Sequence, residues 1–152
     1  MMNWNSNVKI DIHNENGSLV DTTQFHNIIT DDGMWWMARA IGSSYYEPKI
    51  IYCGWGLTNT APSTTQTKLI AESGRKIITS YSVTSSAGCV TVCYLSPTDA
   101  IVNIQELGWF VGSSANASSD TGCMISRTLY SRNKTNLESI TIIRTDTFVN
   151  TT

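Results

Sequence analysis

Residues 52–75 read YCGWGLTNTAPSTTQTKLIAESGR, and this stretch sets the grammar of the whole chain. Its apolar start, Tyr52 to Trp55, is punctuated by Gly54 and Gly56, positions where a strand can bend or another backbone can come close. Thr58 to Gln66 then brings Asn, Ser, Thr and Pro62, which favour turns through local side-chain hydrogen bonds and a fixed φ. Leu69 and Ile70 return to the interior. Glu72 and Arg75 follow beside Gly74, three residues apart, a spacing at which the two side chains meet if the segment forms one helical turn.

Downstream of Arg75 the pattern is strand after strand. Lys76 to Val83, Val90 to Leu95, Ile101 to Val111, Cys123 to Tyr130 and Ser139 to Val149 are rich in Ile, Val, Thr and Tyr, with turn-like connections between them. One of these runs, Gln105-Glu106-Leu107-Gly108-Trp109-Phe110, sets a carboxylate among apolar residues. A buried carboxylate needs a cation or several donors, so Glu106 is expected to face Arg75 or Arg127, or to cap backbone amides near a bulge at Gly108. No nucleophile or base accompanies these charges. Glu72, Arg75, Glu106 and Arg127 are therefore read as structural charge pairs.

Upstream, Asn7 to His13 alternates Val8, Ile10 and Ile12 with polar residues, and Asn14-Glu15-Asn16-Gly17 supplies a hairpin turn before the partner strand Ser18 to Phe25. His13 and His26 lie in or beside this hairpin and are expected at the surface. Gly33 to Gly42 is the one helix expected, apolar almost all round, with Asp31 or Asp32 as N-cap and Gly42 as C-cap. Adjacent Trp35 and Trp36 point about 100° apart on a helix, so one enters the core while the other meets a second layer or a neighbouring subunit. The expected fold is mostly β: an antiparallel β-sandwich of about eight strands with one short buried helix. One domain, 1–152, has flexible arms at 1–6 and 150–152 that order on a neighbour.

Composition narrows the function classes. Charged residues make up 14% of the 152 residues and the formal charge is −2, with no Lys/Arg stripe for phosphates, so nucleic acid is not an expected partner. No apolar run is long enough to span a bilayer as a helix, and no membrane partner is expected. MMNWNSNVKIDI lacks the regions of a signal peptide, which leads to an expectation of synthesis in a cytoplasm and of accidental glycosylation triplets at Asn116 and Asn133. The four cysteines lack zinc-ribbon spacing. Cys89 and Cys93 share a strand face about 13 Å apart, so buried free thiols are expected, with a single bridge such as Cys53 to Cys123 left open. No catalytic residue, cofactor or metal site is expected, because the two histidines share one region and no nucleophile elbow or metal motif is present. No heptad or collagen-like repeat is present to build a fibrous shaft.

The aromatic residues suggest contact surfaces instead. Trp4, Trp35, Trp36, Tyr45, Tyr46 and Asn116 are the interface candidates, with the Gly112 to Asp120 loop as an adaptable contact surface. Tyr45, Tyr46, Asp99 and Asn116 also admit a different reading, as stacking and hydrogen-bonding groups of a host-glycan-binding module.

The order of Gly33, Gly54, Gly56, Pro62, Gln66, Thr67, Leu69, Glu72 and Arg75, then Ile104, Glu106, Gly108, Phe110, Gly122 and Arg127, resembles a recurring module of tailed-bacteriophage structural proteins. It is most similar to the N-terminal domain of the tail-collar fibre family, over roughly Asn27 to Tyr130. The resemblance implies a non-enzymatic virion protein, made in the host bacterial cytoplasm, that docks onto other phage structural proteins as a collar, baseplate or fibre-attachment piece. A capsid cement protein decorating the head is the alternative. It also implies a homo-oligomer, a trimer or another ring.

Overall fold

The computed structural model describes residues 2–84 and 86–151. Its elements run β1 (Met2–Asn14), β2 (Leu19–His26), β3 (Ile28–Ile29), α1 (Asp31–Gly42), β4 (Ile50–Gly56), β5 (Glu72–Ile77), β6 (Ser80–Thr84), β7 (Gly88–Leu95), β8 (Asn103–Val111), β9 (Cys123–Asn133) and β10 (Glu138–Asn150). Sheet A has the order β2-β1-β10-β7-β6 and sheet B the order β3-β9-β8-β4-β5, every pairing antiparallel. The expected sandwich is present, with ten strands among the described residues. The increase over eight has two sources: β3 is a two-residue strand, and Lys76 to Val83 divides between the sheets.

Alternation decides what faces inward. Val8, Ile10 and Ile12 of β1, Ile140 and Ile142 of β10, and Cys93 and Leu95 of β7 meet Cys53, Trp55, Leu107, Trp109 and Val111 of sheet B in one core. The hairpin turn forms as its sequence dictates: Asn14 Oδ1 accepts from the amides of Asn16 and Ser18, both at 3.0 Å, and Gly17 adopts φ +78°.

The expected arms at 1–6 and 150–152 are corrected for residues 2–6 and for Asn150, which lie in β1 and β10; Met1 and Thr152 lie outside the described residues. Residues 2–6 belong to β1, which pairs with β10 from Met2 opposite Asn150 to Asn14 opposite Glu138. Asn3, Asn5 and Asn7 lie on the solvent side of a strand whose other face carries Trp4, Ser6 and Val8, so the polar asparagines mask the alternation.

The helix is also corrected, both in its caps and in its burial. Thr30 is the N-cap: its hydroxyl accepts from Gly33 N at 3.0 Å and donates to Met124 O at 2.7 Å. Asp31 and Asp32 occupy the first turn, where acidic groups suit the helix dipole, and Ser43 is the C-cap. Only Gly33 is buried. There α1 rests on β9, and a Cβ at Gly33 would stand 2.5 Å from Ile125 O. Gly33→Ala is expected to destabilise the fold by about 1–3 kcal/mol, as overpacking does, despite alanine's better helix propensity. A chemical denaturation midpoint equal to wild type would refute this contact.

Candidate interaction surface

The outer face of sheet B is covered by two loops, and the charge pairs fasten them. On this face Leu69, Phe110 and Met124 form a second, smaller core beside Tyr52 and Ala115. Gly54 and Gly108 make room for it, since a Cβ at either would lie 3.2 Å or less from Leu69 or Phe110 atoms. Leu69 brings the 57–71 loop down onto the sheet.

Glu106, fully buried, holds that loop in place. Its carboxylate accepts from Ala71 N at 2.8 Å, Ile70 N at 3.2 Å and Arg127 Nε at 2.7 Å. Arg127 in turn donates to Gln66 Oε1 at 3.0 Å and Thr60 O at 2.9 Å. Of the partners expected for Glu106, the structure selects Arg127 and not Arg75. The amides it caps are those of Ile70 and Ala71 rather than amides beside a bulge at Gly108, the ladder irregularities falling between Ile104 and Glu106 and between Trp109 and Phe110. Gly56 is part of the same fit, because a Cβ there would fall 2.2 Å from Glu106 Oε1.

Arg75 fastens the second loop. Its guanidinium grips Glu72 at 2.5 and 2.9 Å and donates to Thr121 O at 2.8 Å and Asn116 O at 3.2 Å, lying 3.9 Å from the Phe110 ring centroid. The Glu72–Arg75 contact arises in a strand rather than the helical turn allowed by its spacing. Trp55 faces Gly74 and Gly56 faces Glu72, so Ser73 is an extra residue, and this bulge puts positions 72 and 75 on one face. Asn116, an interface candidate, spends its backbone carbonyl on Arg75, and its side-chain oxygen accepts from Ser118 N at 2.8 Å. The 112–120 segment is thus held down by Arg75 rather than left freely adaptable.

A third buried pair lies inside the sandwich. Arg144 donates to both oxygens of Asp146 at 2.7 Å and to Ser126 on the opposite sheet, and Trp4 Nε1 donates to Asp146 at 2.8 Å. Sequence reading passed over it, although the spacing of Ile140, Ile142, Arg144 and Asp146 places all four on one strand face.

Beside this pair the sandwich is open. A cleft of about 430 Å³ separates the end of sheet A from α1 and β4, walled by Trp4, Phe148, Tyr81, Met37, Ile50 and Ile125. Trp4 stacks on Phe148 with ring centroids 5.5 Å apart. Sheet A overhangs here: Val83, opposite Cys89 and on the inward side of β6, is 85% exposed. At the mouth, Lys49 Nζ sits 4.4 Å from the Tyr81 ring centroid.

Met37 gives α1 a place in the cleft wall, and the other side of the helix carries a second aromatic group. Trp36 turns inward, its Nε1 donating to Glu47 O at 2.9 Å and its ring against Gly112. Trp35 is 46% exposed and carries Arg39 over its face at 3.5 Å, while Tyr46 meets both indoles edge-on and accepts from Arg39 at 2.8 Å. Tyr45, Met34 and Ile41 stand exposed around them. The structure therefore gathers Trp4, Trp35, Trp36, Tyr45 and Tyr46 around the cleft and α1, and sends Asn116 elsewhere. The four residues of the glycan reading are not all left free. Asp99 is desolvated, yet hydrogen bonds from Lys76 and Ser96 hold its carboxyl below the usual range, and those bonds occupy it.

Among the described residues there is no cluster of three or more His, Cys, Asp or Glu suited to a metal ion, and no helix is long and apolar enough to cross a membrane. Comparison of the chain with family models, curated proteins and solved structures returns no match.

Proposed function

We propose that this chain is a non-enzymatic structural component of a tailed-phage virion that docks onto other virion proteins at the tail, as a collar, baseplate or fibre-attachment piece. One observation carries the docking part of this reading: an apolar cleft of about 430 Å³ walled in part by α1, the helix whose other side carries the exposed aromatic group. Such a surface offers large rigid anchors inside a polar rim, the composition from which protein interfaces draw most of their affinity. The virion part rests on the resemblance in the order of the glycines, Glu72, Arg75, Glu106 and Arg127. The loop fastening is consistent with it, because those residues form two charge pairs that each hold one loop onto the same face of sheet B.

Immunogold labelling of intact particles with antibody to this chain tests the location. Label at the tail end is the expected result; label over the whole head would replace the tail reading with the cement alternative, and particles without label would overturn both. Docking is tested separately by Trp35→Ala. Because Trp35 is largely outside the core, its loss is expected to leave the melting midpoint within about 2 °C of wild type, the small effect typical of surface changes. It is also expected to weaken attachment to the particle by about 30-fold, the loss of one hot-spot side chain. Undiminished incorporation would remove α1 from the interface.

A further inference from the structure

All four thiols are reduced, but two of them are placed to react with each other. The chain crosses from sheet B to sheet A over Ile78 and Thr79 alone. At that corner Ile78 N donates to Ile51 O at 2.9 Å and Thr79 N donates to Val92 O at 2.7 Å, so two residues span the gap between β4 and β7. Cys53 lies two residues beyond Ile51 and Cys93 one beyond Val92. Both side chains point into the space between the sheets, 0% and 1% exposed in the same core; Cys53 Sγ lies 4.0 Å from Gly54 O, and the Cys93 thiol is near enough to raise the Cys53 thiol.

The other cysteines are occupied elsewhere. Cys123 stands at the start of β9, its Sγ 3.9 Å from Asp32 O, and burial beside that aspartate pushes its thiol up to about 11. Cys89 is on the wall of the cleft. The bridge between Cys53 and Cys123 left open by the sequence is thus set aside in favour of a different partner.

We propose that Cys53 and Cys93 are a redox-responsive pair that closes to a disulfide stapling the two sheets at the corner opposite the hairpin edge. The oxidant is a small-molecule disulfide. The thiolate of one cysteine attacks it, forming a mixed disulfide and releasing one thiol; the second cysteine then attacks the protein sulfur and expels the other thiol. Two protein S–H bonds and one S–S bond are consumed, and one protein S–S bond and two small-molecule S–H bonds form. The neighbouring Cys93 thiol, together with burial, holds the Cys53 thiol well above its usual range, so the exchange proceeds while the corner is open and not in the closed core. The natural setting, a particle passing from a reducing cell interior to an oxidising exterior, rests on the virion reading. The bond itself does not.

The test uses the full chain carrying Cys89→Ser and Cys123→Ser, which leaves Cys53 and Cys93 as the remaining pair; Cys123 packs against the core, so the reduced form of the same variant is the reference for stability. The reduced, denatured protein is refolded in glutathione buffer with and without the oxidised form, then alkylated and mapped by mass spectrometry. Expected in the oxidised sample are linked peptides containing Cys53 and Cys93 and a melting midpoint higher by on the order of 10 °C, as a loop of this length predicts. Two alkylatable thiols in the refolded oxidised protein would overturn the proposal. So would a wild-type map in which Cys53 or Cys93 is bridged to Cys89 or Cys123. Neither outcome depends on whether labelled particles are found.

Discussion

Replacing Glu106 by alanine is expected to cost about 3–5 kcal/mol, the loss seen when one partner of a buried ion pair is removed, and to lower the melting midpoint by about 10 °C. The carboxylate is fully buried and serves three donors: Arg127 Nε and the amides of Ile70 and Ala71. Without it, a buried guanidinium keeps only Gln66 and Thr60 as partners, and two amides lose their acceptor. Leu69 loses its seat as well, because those amides are the hinge by which the 57–71 loop descends. Glu106→Gln retains the volume but brings two N–H donors into a site already lined with donors, so it is expected to recover little. Glu106→Leu combined with Arg127→Met removes both charges and is expected to recover part of the loss, but not all of it, since the Ile70 and Ala71 amides stay orphaned. Urea unfolding of the set, read at constant m value, decides the matter. A loss below 1 kcal/mol for Glu106→Ala would mean that water reaches the pair.

Arg75→Ala is expected to have the second largest effect, again several kcal/mol, about 3–5 by the same mechanism. Here the guanidinium joins three elements: Glu72 on its own strand, the carbonyls of Asn116 and Thr121 in the 112–122 loop, and the Phe110 ring below it. Its removal leaves Glu72, 2% exposed at the side chain, with Asp120 N at 3.2 Å as its remaining hydrogen bond. Arg75→Lys is expected to behave nearly as badly, because an ammonium cannot reproduce the two-pronged grip on Glu72 while also reaching the loop carbonyls. Limited proteolysis supplies the local readout. Cleavage between residues 113 and 121 is expected to accelerate in both variants, while the 57–71 loop, held by Glu106, stays protected. An unchanged midpoint together with an unchanged cleavage pattern would show that the clamp contributes nothing.

What could be read from residues alone was whatever local geometry controls. The Asn14 to Gly17 turn, the alternation of Val8, Ile10 and Ile12, and the Ile/Val/Thr runs after Arg75 each encode a strand or turn within a few residues, and together they imply a sandwich. The need of Glu106 for a cation was equally legible, because the cost of a buried charge does not depend on topology.

Which groups meet was a matter for the tertiary structure. The i,i+3 spacing of Glu72 and Arg75 fits a helical turn or a bulged strand, and only the pairing of Trp55 with Gly74 selects the bulge. Trp4 read as part of a loose arm until β10 supplied its partner strand. The helix looked buried because it is apolar all round, yet a helix resting on one strand through Gly33 can cover a single face and leaves the rest exposed. Arg144 and Asp146 escaped notice as polar residues near the C-terminus, although their alternation with Ile140 and Ile142 carried the information. The Cys53–Cys93 juxtaposition had no local signal at all. It is created by a chain that changes sheets over two residues, and long-range contacts of that kind are fixed by how strands pair and layers close rather than by any run of sequence.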